Sequence, residues 1–198
     1  MADGGGTVLG IFRKTGAPAE AHTARPSASP WLRVEMLIGD RVALEVLSHS
    51  HAGDRCAAAA DGGLHRRCYT NAPSPERVDD EIERRLELHA GGDWLRFATI
   101  NGASSKALGM SRDLNAAARF HRVEGGGAGL AKSARRSGIN VASKLLLFEH
   151  AFEALRWIAV QLRTNTFNLD SRQAIVALGA KLDGVLRNRY DAFDTTCV

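Results

Sequence analysis

Cysteine is scarce in this chain of 198 residues, and the three present, Cys56, Cys68 and Cys197, show no CxxC spacing. An odd, scattered set argues against a disulfide framework and against a structural zinc site. It fits a reducing, cytoplasmic setting. No stretch reaches the roughly 18 apolar residues that a membrane span needs. Met1 to Pro30 lacks the long apolar run of a secretory leader. Charge of one sign is not dominant either: 26 Lys and Arg face 22 Asp and Glu, for a net charge of +4. That excess suits an anionic ligand and falls short of a nucleic-acid signature. His49, His51, His65, His121 and His150 have no ligand-like spacing, so no metal is expected.

Hydrophobic residues make up 44% of the chain and charged residues 24%, enough for one core of ordinary size. Residues 1–30 differ from the rest. They are rich in Gly, Ala, Ser, Thr and Pro, with Gly4-Gly5-Gly6, Pro18, Pro26 and Pro30, and are expected to be a disordered, mobile extension. Residues 31–198 are expected to form a single domain.

Within that domain, apolar residues two apart in Val34–Ile38 and Val42–Val46 give strands around a Gly39-Asp40 turn. Ser48 caps a helix through Ala57–Ala60, ended by Gly62-Gly63. Ser74-Pro75-Glu76 opens a second helix. Val78, Ile82 and Leu86 fall on one face of it. Strands follow at Trp94–Ile100 and Ala107–Leu114, with Asn115–Phe120 as a connection. His121–Ala131 reads as a weak strand, because Gly125-Gly126-Gly127 and Gly129 disfavour regular pairing. A long helix carries Ala142, Leu145, Leu146, Phe152 and Leu155. Then come a strand at Trp157–Thr164, a helix at Ser171–Leu178 stopped by Gly179, and strands at Lys181–Asn188 and Asp194–Val198. Alternating strands and helices give an α/β (α+β) class with a mixed sheet.

The segment Arg135-Arg136-Ser137-Gly138-Ile139-Asn140 joins a Gly-rich strand directly to that long helix. The first N–H groups of a helix lack internal partners and carry partial positive charge, so an anion placed there meets donors and dipole together. Gly138 permits close approach or a positive φ. Arg135 and Arg136 add charge. The spacing is neither the P-loop GxxxxGK[ST] nor the dinucleotide GxGxxG followed by a helix. An ordinary strand-to-helix turn with surface arginines stands beside the anion-site reading.

Arg135-x-x-Gly138-x-Asn140 resembles the pyrophosphate loop, [QR]-x-x-G-x-[GA], of the GNAT acetyltransferase superfamily. "RRSGINVASKLLLFEHAFE" is similar to the branch that acetylates protein N-termini, including ribosomal-protein alanine N-acetyltransferases. "TNTFNLDSRQAIVALGAKLDGVLRNR" resembles that branch's N-x-x-S helix and following strand, and "CYTNAPSPERVDDEIERRL" its substrate-side helices. The resemblance runs from about Leu32 to the C-terminus.

It implies a splayed mixed sheet flanked by helices, with acetyl-CoA between two parting strands at His121–Ala131 and Trp157–Thr164. It implies direct attack by a primary amine, either a protein N-terminus or a small amine. Glu124 in "RVEGG" matches a proposed general base of the family; a solvated strand carboxylate is the alternative. Asn168 matches a residue on the CoA arm. Ser171 matches a hydroxyl near the leaving sulfur, and helix capping is its other reading. Ile175 stands where many members carry a Tyr acid. The strand usually reads "E-I-G-S-T-W", and here it is Glu124-Gly125-Gly126-Gly127-Ala128-Gly129. The final hairpin after "GVLRN" is shortened. A non-catalytic CoA-binding or scaffold protein with a degraded site is the alternative function. No membrane or nucleic-acid partner is expected, and a homodimer is allowed.

Overall fold

The computed structural model describes residues 7–13, 34, 36–67, 69–90, 94–117 and 121–186. Eight strands make one sheet: β1 (Thr7–Arg13), β2 (Met36–Ile38), β3 (Val42–Val46), β4 (Trp94–Asn101), β5 (Ala107–Ala117), β6 (Arg122–Leu130), β7 (Ala159–Asn165) and β8 (Lys181–Leu186). Their order is β2-β3-β4-β5-β6-β7-β1-β8. Every neighbouring pair is antiparallel except β6 and β7, which run parallel. The helices are α1 (Ala52–Ala60), α2 (Val78–Ala90), α3 (Ile139–Glu149) and α4 (Leu169–Ala177).

Alternation along the strands divides the core. Leu44, Leu95, Phe97, Val123, Val160 and Leu162 meet Leu147, Phe148 and Ala151 from the α3 segment, and Ile175 of α4 packs on the same cluster. Ala98, Ile100 and Met110 meet Val78 and Ile82 of α2 on the other face. Val78, Ile82 and Arg85 recur at helical spacing and are the buried residues of α2. Leu145, expected among the apolar face of the long helix, is instead 55% exposed. That helix changes to a π turn at His150–Ala154, which shifts the phase of its apolar residues.

The expectation of a mobile arm over residues 1–30 is corrected at Thr7–Arg13. This segment is a strand paired with β7 on one side and β8 on the other. Averaging composition over thirty residues hides the short apolar run Val8-Leu9-Gly10-Ile11-Phe12. Gly10 serves close packing there: a Cβ on it would stand 2.9 Å from Ile175 Cγ2 and 3.1 Å from the Ala180 Cβ. Phe12 stacks on Phe148 with ring centroids 4.5 Å apart. The rest of residues 1–30 lies outside the described residues, as does the strand expected at Asp194–Val198.

The connection expected at Asn115–Phe120 is also corrected in part. Strand β5 continues to Ala117, with Asn115 opposite Glu124 and Ala117 opposite Arg122. The β5–β6 hairpin reaches from Ala117↔Arg122 to Gly109↔Leu130, with two register shifts along it.

Candidate functional site

The site begins where β6 and β7 separate. Their parallel pairing covers Arg122↔Ala159 to Gly126↔Arg163 and ends there. Strand β6 continues to Leu130, held only by β5, and β7 continues to Asn165. A register shift between Met110 and Arg112 of β5 falls opposite Gly126–Gly129. Such a shift bends a strand and sharpens its twist, which turns the end of β6 away from β7. Parallel neighbours end at the same edge of the sheet. The segments after β6 and β7 therefore both open at the cleft, and each leads to a helix N-terminus, α3 and α4. A crevice beyond the carboxyl ends of parallel strands is where open α/β sheets bind ligands.

The loop after β6 is fixed from three directions. Lys132–Ala134 forms a 3-10 turn. Ser133 N–H donates to Asp61 Oδ2 at 2.7 Å, and Lys132 N–H to the Asp61 carbonyl. The Ser133 backbone N–H, then its side chain, hold the Asp61 carboxyl below the usual carboxylate range. The Ser137 hydroxyl donates to the Ala134 carbonyl at 2.6 Å and accepts from Ile139 N–H at 3.4 Å. Ile139 itself is buried with Val42, Leu130, Ala131 and Ala134, burial that contributes about 1.5–3 kcal/mol. So the side chains of Ser137 and Ile139 hold the loop in shape, and what they offer an anion is backbone.

Arg136 has φ +60 and Gly138 has φ +85. Left-handed residues within a turn aim successive N–H groups at one point, an anion-binding nest. No side chain caps α3 at Gly138, and the Gly138 carbonyl accepts the first helical bond from Ala142 N–H. Arg135 Nη2 is buried with no hydrogen-bond partner, a donor with capacity to spare.

One cation of this site escaped the sequence reading. Arg41, in the β2–β3 turn, places its Nη1 2.9 Å from the spot a Cβ on Gly138 would occupy. It is far from the loop in sequence, so no local motif reveals it. Gly39 in the same turn packs on Leu146 of α3, where an added Cβ would stand 3.1 Å from Leu146 Cδ2.

At the second helix N-terminus, Asn168 is the cap: its Oδ1 accepts from Ser171 N–H at 3.2 Å. Capping thus belongs to Asn168, and Ser171 is the third residue of the helix, half-buried. Ile175, one turn on, turns to the sheet and meets Gly10.

Glu124 lies two residues before the strands part. Its Oε2 accepts from Arg163 Nη2, an ion pair between side chains 22% and 11% exposed. Glu124, Gly126, Gln161 and Arg163 share the face covered by α1 and α2, since Val123, Val160 and Leu162 fill the other. Glu124 thus lies on the paired part of β6, while the 135–140 loop and Asn168–Ser171 lie at the N-termini of the helices that follow β6 and β7. His150 is half-buried away from these groups, and burial pushes its imidazole below its ordinary pKa. Among the described residues no cluster of His, Cys, Asp and Glu is built to hold a metal, and no helix is long and apolar enough to cross a membrane.

A single sheet parts between two parallel strands, with a basic helix N-terminus beside the gap. Solved structures match it. An acetyltransferase structure is 28% identical with TM-score 0.70, covering 82% of this chain and 84% of that one. One from T. thermophilus is 27% identical with TM-score 0.68, over the same shares of the two chains, 82% and 84%. A ribosomal-protein-serine acetyltransferase from Vibrio cholerae shares the fold, with TM-score 0.68 at 16% identity over 78% of this chain and 88% of that one. No protein-family model matches the chain, and no curated protein does. The chain thus has the fold of GNAT acetyltransferases, and its likeness to the two structures above 25% identity supports an N-acetyltransferase.

Proposed function

We propose that the protein transfers an acetyl group from acetyl-CoA to a primary amine, with the CoA pyrophosphate on the Arg135–Asn140 loop. The observation that carries this reading is the end of β6–β7 pairing at Gly126↔Arg163, with an uncapped helix N-terminus at the same edge. The residues fit the cofactor: a left-handed Gly138, a buried unsatisfied Arg135 Nη2 and the Arg41 guanidinium all border one helix terminus. Acetyl-CoA brings the thioester, and the chain supplies the rest.

Arg135, Arg136, Gly138 and the N–H group of Asn140 hold the phosphates, while Ser137 and Ile139 keep the loop in shape. The Asn168 cap holds Ser171 beside the gap, where its hydroxyl donates a proton to the departing sulfur. The unpaired end of β6 turns backbone N–H groups towards the gap and polarises the thioester carbonyl. An amine is mostly protonated near pH 7, so it needs a proton acceptor. Glu124 has that role: Arg163 engages Oε2, and Oε1 receives the proton directly or through water. The acceptor is a peptide N-terminus or a small amine, in the cytoplasm.

The competing reading is a GNAT-fold protein that binds CoA without transfer. Ile175, packed on Gly10 in place of a tyrosine acid, favours it. Acetyl-CoA consumption over a panel of amines and peptides, with wild type and Glu124→Gln, separates the two. Turnover that falls about 100-fold or more in the variant supports the general base. CoA binding with no transfer to any amine supports the competing reading.

A further inference from the structure

Among the described side chains, the layer between α1, α2 and the sheet buries the guanidinium groups of Arg55 and Arg85 beside the Glu81 carboxylate. Arg55 of α1 is 3% exposed and Arg85 of α2 is 4% exposed. Arg55 Nη1 donates to the Gly129 carbonyl of β6 at 3.3 Å, and its Nε is buried without a partner. Arg85 Nε donates to Glu81 Oε1 at 2.6 Å, and its Nη1 is buried without a partner. Glu81 also accepts two hydrogen bonds from Arg84, so its one charge is divided. Burial first, then the nearby Arg85 charge, lower the Arg55 guanidinium to about 10, with Glu81 opposing. Two buried guanidinium groups, each with a nitrogen left without a partner, are costly unless something else compensates.

The compensating group has room to enter. Gly129 stands opposite Met110, on the face covered by α2. A Cβ built on Gly129 would meet only Leu64 Cδ2, at 4.0 Å. Arg55, with Arg85 near enough to act on its charge, thus adjoins an uncrowded side-chain position at the end of β6, past the point where it leaves β7. This is also the face that carries Glu124 and Arg163.

We propose that Arg55 and Arg85, at the open glycine end of β6, form a subsite for a carboxylate carried by the amine acceptor. The proposal rests on the acetyltransferase reading above and narrows its substrate class: the acceptor is acidic close to its reacting amine. A carboxylate there takes Nε of Arg55 and Nη1 of Arg85, the nitrogens left without a partner, as charge-assisted donors.

The test uses the full chain, saturating acetyl-CoA and three peptides matched except at the second residue: Ala-Glu, Ala-Gln and Ala-Lys followed by the same neutral tail. Transfer to the Glu peptide should exceed the Gln peptide by about tenfold or more in kcat/KM, through KM, with the Lys peptide poorest. Arg55→Met should collapse the Glu-to-Gln ratio towards one. Arg85→Met should do the same, so either variant suffices if the other does not fold. Equal rates, or a preference for Lys, overturn the proposal. A second readout is independent of turnover: calorimetric binding of the acetylated Glu and Gln peptides to wild type. If acetyl-CoA binds and no peptide is acetylated, the transfer reading fails. The carboxylate subsite then stands if the acetylated Glu peptide binds more tightly, and falls if the two bind alike.

Discussion

Arg41 Nη1 lies 2.9 Å from the point where a Cβ on Gly138 would project. A side chain at position 138 would press on the guanidinium, and the guanidinium in turn covers the N-terminus of α3. The contact ties the β2–β3 turn to the loop after β6. It also brings a third arginine beside the loop of Arg135 and Arg136, where the phosphates are proposed to bind. Replacing Arg41 by Ala should weaken acetyl-CoA binding about fivefold, roughly 1 kcal/mol for one exposed charge-assisted contact. The thermal midpoint should stay within a degree or two of wild type, because Arg41 is exposed. Isothermal titration and thermal unfolding of the same sample check both halves.

Two glycines near the gap should respond oppositely to Ala. At Gly109 a Cβ would come within 2.5 Å of Leu130 Cδ2 and 2.9 Å of the Gly129 carbonyl, so Gly109→Ala should destabilise by about 1–3 kcal/mol. At Gly129 only Leu64 is near, at 4.0 Å, so Gly129→Ala should be neutral or stabilise by up to about 1 kcal/mol. Urea midpoints for the pair test whether the glycine run is a packing requirement or an opening.

Glu81 makes acid stability predictable in sign. Burial would raise its carboxyl, but the hydrogen bonds and charges of Arg84 and Arg85 outweigh burial and hold it at about 2, against an ordinary 4.5. Its contribution is present above pH 4.5 and is lost as pH falls towards 2, because the unfolded chain takes up the proton first. Urea midpoints from about pH 6 to about pH 2.5 should fall, and Glu81→Gln should start lower and fall less across that window. A variant with the same acid limb as wild type would contradict the assignment.

The first strand should be indispensable. Deleting residues 1–13 removes β1 from between β7 and β8, leaving β8 detached and β7 with an open edge. Circular dichroism and soluble yield should show loss of cooperative folding, whereas a dispensable arm would leave both unchanged.

Much of the architecture is legible in the residues. The alternation at Val42–Val46, the Ser74-Pro75 helix start and the Gly138 turn all report local physics, and local physics decides them. The anion loop is visible because one short segment holds its positive-φ glycine, its arginines and its helix start. What stays hidden depends on distance along the chain. Arg41 lies beside Gly138 in a turn whose Gly39 packs on Leu146. Arg163 meets Glu124 only because β6 and β7 are neighbours. Arg85 fits an exposed helix run in the sequence, Glu83-Arg84-Arg85, yet its helical phase with Val78 and Ile82 buries it. Thr7–Arg13 is masked by the Gly- and Pro-rich composition around it.

The central claim is that the Arg135–Asn140 loop holds the phosphates of acetyl-CoA. Calorimetric titration of acetyl-CoA into wild type and Gly138→Ala tests it most directly. The side chain would be strained at φ +85 and would crowd Arg41. Saturable one-to-one binding by wild type, weakened about tenfold or more in a variant that remains folded, is the expected result. Well-folded wild type that takes up no acetyl-CoA, or a folded variant that binds as tightly, would contradict it.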